Sequence, residues 1–182
     1  MQYSVAPGLQ NHSLTQRDPA ALAAAVQAAA AADVAVLVLG LSERLEGEGH
    51  DRTSLELPPA QVELASKVAA AQPRTVLVLV NGGALSVESL LAGPDAAIPA
   101  AMEAFYPGQA GAEAIVQALM GETNRFGRLP YTMYASRFVN RSMLNFDLRA
   151  DGGLTYRYYD GHTHGSPPFW FGHGLSYTTF SF

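Results

Sequence analysis

Two short apolar runs constrain this chain more than anything else in it. "VAVLVL" (34–39) stops at Gly40 and "TVLVLV" (75–80) stops at Asn81-Gly82-Gly83. Both are continuous rather than alternating, rich in β-branched residues and too short for core helices, the pattern of strands buried on both faces of a parallel sheet. A helical stretch precedes each. Asp18-Pro19 offers a capping side chain followed by proline at the first helical position, and the alanine run to Ala32 has high helix propensity. "PPAQVELASKVAAA" (58–71) starts on prolines in the same way. A weaker strand candidate, "AAIPAAMEAFYPG" (96–108), and a further helix, "AGAEAIVQALMG" (110–121), continue the alternation. This order predicts an α/β fold, a three-layer sandwich around a mostly parallel, doubly wound sheet. From residue 122 to 182 glycine, proline, tyrosine and phenylalanine dominate, which predicts a wrapping tail with edge strands. Residues 1–18 read as an extended lead-in, and all 182 residues as one domain.

Composition excludes several function classes. A net charge of -5 without a basic run argues against nucleic acid, whose binders need a cationic face to displace counterions. With no cysteine there is neither a disulfide framework nor a thiolate metal site. The first residues, "MQYSVAPGLQNHSLTQR", lack the basic and apolar regions of a signal peptide, and the most apolar stretch is interrupted by Gln27 and Asp33, so no membrane span is expected.

In open α/β sheets ligands bind beyond the carboxyl ends of the strands, at a topological switch point. The loop "GLSERLEGEGHDRTSLELPP" leaves the first strand at such an end and is long for a strand-to-helix connection. Within it "LEGEGHDR" (45–52) concentrates ionisable groups, and Gly47 and Gly49 flank Glu48, presenting that carboxyl on a free-turning arm. A solvated acidic loop is the competing reading. A metal is not expected: Glu46, Glu48, His50 and Asp51 are adjacent residues without zinc or calcium spacing. His162, His164 and His173 sit among glycines and aromatics and read as surface or packing residues. "VNGGALSVESL" resembles an anion cradle, since glycines ahead of a helix expose backbone N–H groups, though a tight turn explains it equally well. There is no serine elbow and no cysteine nucleophile. Carboxylate chemistry remains, and glycoside hydrolysis, which uses a carboxyl pair, is its commonest use, with Glu48 the natural member.

Three stretches then resemble one family in its own order. "ADVAVLVLGLSERLEGEGHDRTSLELPPAQVELASKV" resembles a strand, an E-x-E-G-x-D-R loop and L-x-L-P-x-x-Q-x-x-L. "FYPGQAGAEAIVQALMGETNRFGRLPYTMY" is similar to Y-P-G-Q-x-G … N-P-x-G-R-L-P-x-T. "TYRYYDG … PFWFGHGLSYTTFSF" is similar to T-Y-R-F-Y … P-F-G-Y-G-L-S-Y-T-x-F. On these grounds the chain resembles the C-terminal α/β sandwich domain of glycoside hydrolase family 3, most of all its plant-type β-xylosidase and α-arabinofuranosidase branch. Arg125, Ala84 and His173 depart from the family's usual proline, proline and tyrosine.

The resemblance implies a secreted, extracellular, retaining exo-glycosidase acting on a carbohydrate such as a xyloside, arabinoside or glucoside, without cofactor or metal. It implies Glu48 as the acid/base, with Glu46, Asp51 and Arg52 binding substrate or shaping the loop. The family's nucleophile belongs to a (β/α)8 barrel, which needs about 250 residues, so none of these residues corresponds to it. A barrel joined in cis or in trans is the implied partner, and the isolated chain is expected to be inactive. On an extended arm Glu46 and Glu48 would point to one side about 7 Å apart, unable to flank a bond. A face shaped to meet a barrel should carry an apolar or aromatic patch. Two alternatives remain: a non-catalytic carbohydrate- or partner-binding module, using aromatics such as Tyr106, Tyr158 and Trp170, and a flavodoxin-like nucleotide binder using the glycine turn.

Overall fold

The computed structural model describes residues 18–92 and 97–179. Apart from Asp18, the lead-in lies outside the described residues. In order come α1 (Pro19–Ala30), β1 (Ala35–Gly40), a helical turn α2 (Glu43–Glu46), α3 (Pro59–Ala71), β2 (Thr75–Val80), a π-helical turn (Glu88–Ala92), β3 (Ala100–Glu103), α4 (Gly111–Leu119), a 3₁₀ turn (Ser136–Asn140) and a short α5 (Thr155–Tyr158). The α1 start is the one the sequence announces: the Asp18 carboxylate accepts the N–H groups of Ala20 and Ala21, both at 3.0 Å, with Pro19 just inside the helix.

The three strands among the described residues form one parallel sheet in the order β1-β2-β3. The α/β class and parallel sheet are therefore as the apolar runs indicate. Among the described strands the order is sequential and contains no reversal, so the site described below owes its position to the strand ends and not to a switch point. Register places Leu37 beside Leu77 and Leu39 beside Leu79, so that these leucines share one face. There they pack with Ala65 and Ala69 of α3 and with Leu57, Leu85, Leu90 and Met133. Ala29 of α1, Ala35 and Val68 form a smaller adjoining cluster. On the opposite face Val78 of the central strand is fully buried, whereas Val36 and Val38 of the edge strand are 47% and 53% exposed.

Two buried glutamines tie the layers together, Gln61 joining a helix to a strand and Gln72 joining two helix ends. Gln61 on α3 reads Gly40 as a neighbouring strand would: its Oε1 accepts the Gly40 N–H at 2.9 Å and its Nε2 donates to the Gly40 carbonyl at 2.8 Å. Gln72 Nε2 donates to the carbonyls of Ala29 and Ala32 at the end of α1. Gly40 itself is obligatory, because a Cβ there would lie 1.8 Å from the Val80 carbonyl oxygen. The two strands part at that close contact, and the long loop begins.

After α4 the chain forms no strand of the sheet among the described residues. It doubles back on itself instead: Met133 N–H donates to Phe169 O at 2.9 Å, Leu129 N–H to His173 O at 2.9 Å and Gly172 N–H to Leu129 O at 2.8 Å. Aromatic side chains fill the space this leaves, with Tyr134 stacked on Phe138 at 3.8 Å and Tyr159 edge-on to both.

Candidate active site at the strand ends

The ionisable loop does not run as an extended arm. Residues 43–46 close a helical turn whose N–H groups at Leu45 and Glu46 both return to the Ser42 carbonyl, at 2.7 and 3.1 Å. The turn changes where the two glutamates point. Glu46 faces back over the sheet toward the end of β2, while Gly47-Glu48-Gly49 carries the next carboxyl outward.

Glu46 is the hub of the site. Its Oε1 accepts the Gly82 N–H at 2.6 Å and its Oε2 the Gly83 N–H at 2.9 Å. The Tyr106 hydroxyl, just beyond β3, donates to Oε1 as well. The anion cradle legible in "NGG" is therefore real, and the anion it holds is the chain's own Glu46. Both glycines sit tight against the site: a Cβ on Gly82 would meet the Tyr106 ring at 2.7 Å and one on Gly83 would meet Glu46 Oε2 at 2.8 Å, so either side chain would have to shift. Partial burial pushes the Glu46 carboxyl up, but the hydrogen bonds from Tyr106, Gly82 and Gly83 and the nearby Arg52 charge outweigh it and hold the group below the ordinary glutamate value. Burial, and then the bond to Glu46, push the Tyr106 phenol up to about 12, so it stays a donor.

Arg52 completes this arrangement. Its Nη2 donates to the Ala84 carbonyl at 2.5 Å, and its charge faces Glu46. It thus ties the far end of the loop to the same glycine turn. Glu48, His50 and Asp51 are exposed, and among the described residues Glu48 makes no hydrogen bond or ion pair. Of the four residues singled out in the sequence, the fold joins Glu46 and Arg52 and leaves Glu48 and Asp51 in solvent at the rim.

Directly beneath lies a residue that sequence reasoning passed over. Glu103 ends β3 on the same face as Leu79, and its Oε2 accepts the Tyr131 hydroxyl at 3.4 Å. Burial pushes its carboxyl up to about 7 against the lowering effects of Asn81, Tyr131 and the Phe105 N–H, and the Glu46 charge adds to the rise. Its Oε1, Asn81 Oδ1 and Arg52 Nη1 are buried without a partner. The available signal was an acidic residue at the carboxyl end of a strand, next to a tyrosine turn.

The remaining candidates lie apart. His164 Nε2 sits 3.0 Å from Asp151 Oδ2, with its ring edge-on to Phe138. No three His, Asp or Glu side chains converge among the described residues, and no helix there is long and apolar enough to cross a membrane. Arg149 lies over the Tyr158 ring and Trp170 packs on Tyr159. Tyr106 is half exposed at the strand ends, and the most exposed apolar side chains, Met143 (92%) and Phe146 (87%), belong to a loop of the tail.

A strand-end acidic loop clamped to a glycine turn does not by itself name a family, and comparison with known proteins does. The sequence profile of the glycosyl hydrolase family 3 C-terminal domain matches residues 2–177. The chain belongs to glycosyl hydrolase family 3. Beta-D-xylosidase 1 of Arabidopsis thaliana is 43% identical over 163 residues, which are 87% of this chain and 20% of that protein. A probable beta-glucosidase J of Aspergillus fumigatus is 39% identical over 170 residues, 88% of this chain and 19% of that one. Among solved structures, a family 3 exo-β-xylosidase in complex with a xylobiose aziridine probe superposes with a TM-score of 0.80 at 29% identity, covering 92% of this chain and 22% of that one. A Kluyveromyces marxianus β-glucosidase in complex with glucose gives 0.76 at 32% identity, covering 92% and 20%. The chain thus spans about a fifth of the length of these family 3 relatives.

Proposed function

We propose that this family 3 domain delivers an acid/base carboxyl, Glu48, to a glycoside of the xyloside, arabinoside or glucoside class, and that the nucleophilic carboxylate comes from a (β/α)8 barrel outside these 182 residues. The observation that carries this reading is the division of labour between the two glutamates. Glu46 is held as an anion with its oxygens occupied by Gly82, Gly83 and Tyr106. A general acid must bring a proton to the leaving oxygen and later take one from water. Glu46 would have to leave its cradle to do so, whereas Glu48 stands unengaged on a glycine-flanked tip at the rim. Glu46 and Arg52 hold that tip in place.

A retaining glycosidase needs two carboxyl groups about 5 Å apart on opposite sides of the bond. Glu46 is turned into the strand ends and Glu103 lies half-buried beneath it, so on this reading the chain alone hydrolyses nothing. The xylosidase and glucosidase names of the relatives support the substrate class. Release to the cell exterior and a part in xylan breakdown belong to the same reading.

Chromogenic xyloside, arabinofuranoside and glucoside test it in two stages. The isolated chain is expected to show no turnover. A chimera in which it replaces the matching segment of the Arabidopsis xylosidase is expected to hydrolyse xyloside. There Glu48→Gln should lower the rate by about 10²–10⁴ on poor leaving groups, spare the first step with an activated aryl leaving group, and respond to added azide. If Glu46→Gln gave that signature and Glu48→Gln did not, the roles would be reversed.

A further inference from the structure

Two carboxyl groups converge on the ends of β2 and β3, and they are solvated in opposite ways. Glu46 has three donors on its oxygens and the Arg52 charge beside it. Glu103 has a long hydrogen bond from Tyr131 at 3.4 Å, weaker support from the Asn81 side chain and the Phe105 N–H, and a buried oxygen with no partner in hydrogen-bond geometry. An ionised carboxylate with so few well-placed donors is costly to bury, and a second anion beside Glu46 adds repulsion. The neutral acid removes both penalties at once.

We propose that Glu103 is a positioning residue that keeps its proton below neutral pH, leaving Glu46 the anion of the strand ends, and that losing this proton loosens Glu46 from the Gly82 and Gly83 amides. The groups facing Glu103 define the coupling. Tyr131 comes from the segment after α4, the Asn81 side chain from the end of β2, and the Phe105 N–H from beyond β3; Glu46 approaches from α2. Asn81 is also the mechanical link, because its Nδ2 donates to the Gly83 carbonyl at 2.9 Å and so sets the turn whose N–H groups hold Glu46. Charge appearing on Glu103 acts on both ends of this connection: on Glu46 by repulsion, and on Asn81 by drawing its amide away from Gly83. The burial of Glu103 supports the same direction, with its carboxyl pushed up to about 7. The structural claim stands without the catalytic reading. A falling acid/base rate above neutrality is a consequence that does rest on it.

The test uses this chain with ¹³C-labelled glutamate side chains. One carboxyl resonance is expected to titrate near neutrality and to be absent from Glu103→Gln. In parallel, amide-exchange protection at Gly82 and Gly83 should fall between pH 6 and 8.5 on the order of tenfold, the factor carried by one unit of mutual pKa displacement, and should stay flat in Glu103→Gln. If that variant does not fold, Glu46→Gln gives an independent answer, because removing the neighbouring charge should move the Glu103 midpoint down. A Glu103 that titrates with the surface glutamates, protection that is independent of pH, or a midpoint unmoved by Glu46→Gln would each overturn the proposal. Glu48→Gln should leave every one of these readouts unchanged, so failure of the acid/base assignment is seen separately, in chimera turnover.

Discussion

Glu46 and Gly83, 37 residues apart in the chain, meet so closely that one lacks a Cβ to make room for the other: Gly83 N–H donates to Glu46 Oε2 at 2.9 Å, and a Cβ on Gly83 would sit 2.8 Å from the same oxygen. Gly83→Ala should therefore displace the carboxylate without touching the loop's own sequence. The expected loss is about 1–2 kcal/mol in urea unfolding, one charge-assisted hydrogen bond at a partly solvated site. Glu46→Gln should cost a similar amount, and combining the two should cost little more than either alone, as groups acting on one contact do. Full additivity in that cycle would argue against a shared contact.

The same carboxylate fixes the acid side of the stability profile. Its pKa in the folded chain is lowered, so the unfolded state binds the proton more readily, and the stabilisation is present above the unfolded pKa and lost as pH falls through the folded one. Glu103 has the opposite sign: its folded pKa is raised, so its contribution is present below the ordinary glutamate value and is lost as pH climbs toward about 7. Thermal unfolding between pH 3 and 8 should show Glu46→Gln flattening the acid limb and Glu103→Gln flattening the limb approaching neutrality. Superimposable curves for the wild type and both variants would contradict both assignments.

Gln61 predicts a larger effect than its single position suggests. Its side chain satisfies both the N–H and the carbonyl of Gly40 at the point where β1 gives way to the loop. Gln61→Leu keeps the volume but orphans two backbone groups beside the core, for roughly 2–4 kcal/mol. Gln61→Glu retains an acceptor for the N–H and should cost less when protonated at low pH. A leucine variant within 0.5 kcal/mol of the parent, about the scatter of surface substitutions, would mean that Gly40 finds other partners.

Arg141 organises the exposed loop of the tail. Buried, it donates through Nη1 to the carbonyls of Ala150 at 2.6 Å and Asp151 at 2.7 Å, and through Nη2 to Asp147 at 3.2 Å. A lysine point charge lacks this planar fork. Arg141→Lys should expose residues 142–153 to limited proteolysis at least tenfold faster, an opening cost of about 1.4 kcal/mol, while leaving the exchange protection of β1 and β2 unchanged. Protease resistance equal to the parent would show that the loop is held by something else.

The sequence by itself determined the elements and their order. Continuous apolar runs, a capped alanine helix and proline helix starts are local signals whose physics needs no partner, and the α/β class followed from their alternation. It also determined the family, because "LEGEGHDR", "YPGQAG" and "GLSYTTF" stand in one order along the chain. It pointed to the loop after the first strand as the candidate site and marked "NGG" as a place for an anion. Only the tertiary structure decided which anion. The spacing of Glu46 and Glu48 suggested an extended arm, but residues 43–46 close a helical turn and a second turn follows, with the His50 N–H returning to the Gly47 carbonyl at 2.9 Å, so the two carboxyls do not share the alternation of a strand. Three donors from residues 82, 83 and 106 then choose Glu46, a convergence that no local pattern encodes because it depends on the register of β1, β2 and β3. Glu103 went unread for the same reason. A glutamate at a strand end looks solvated in a sequence, and what raises this one is its burial, with the charge of Glu46 a smaller addition, both brought to it by the fold.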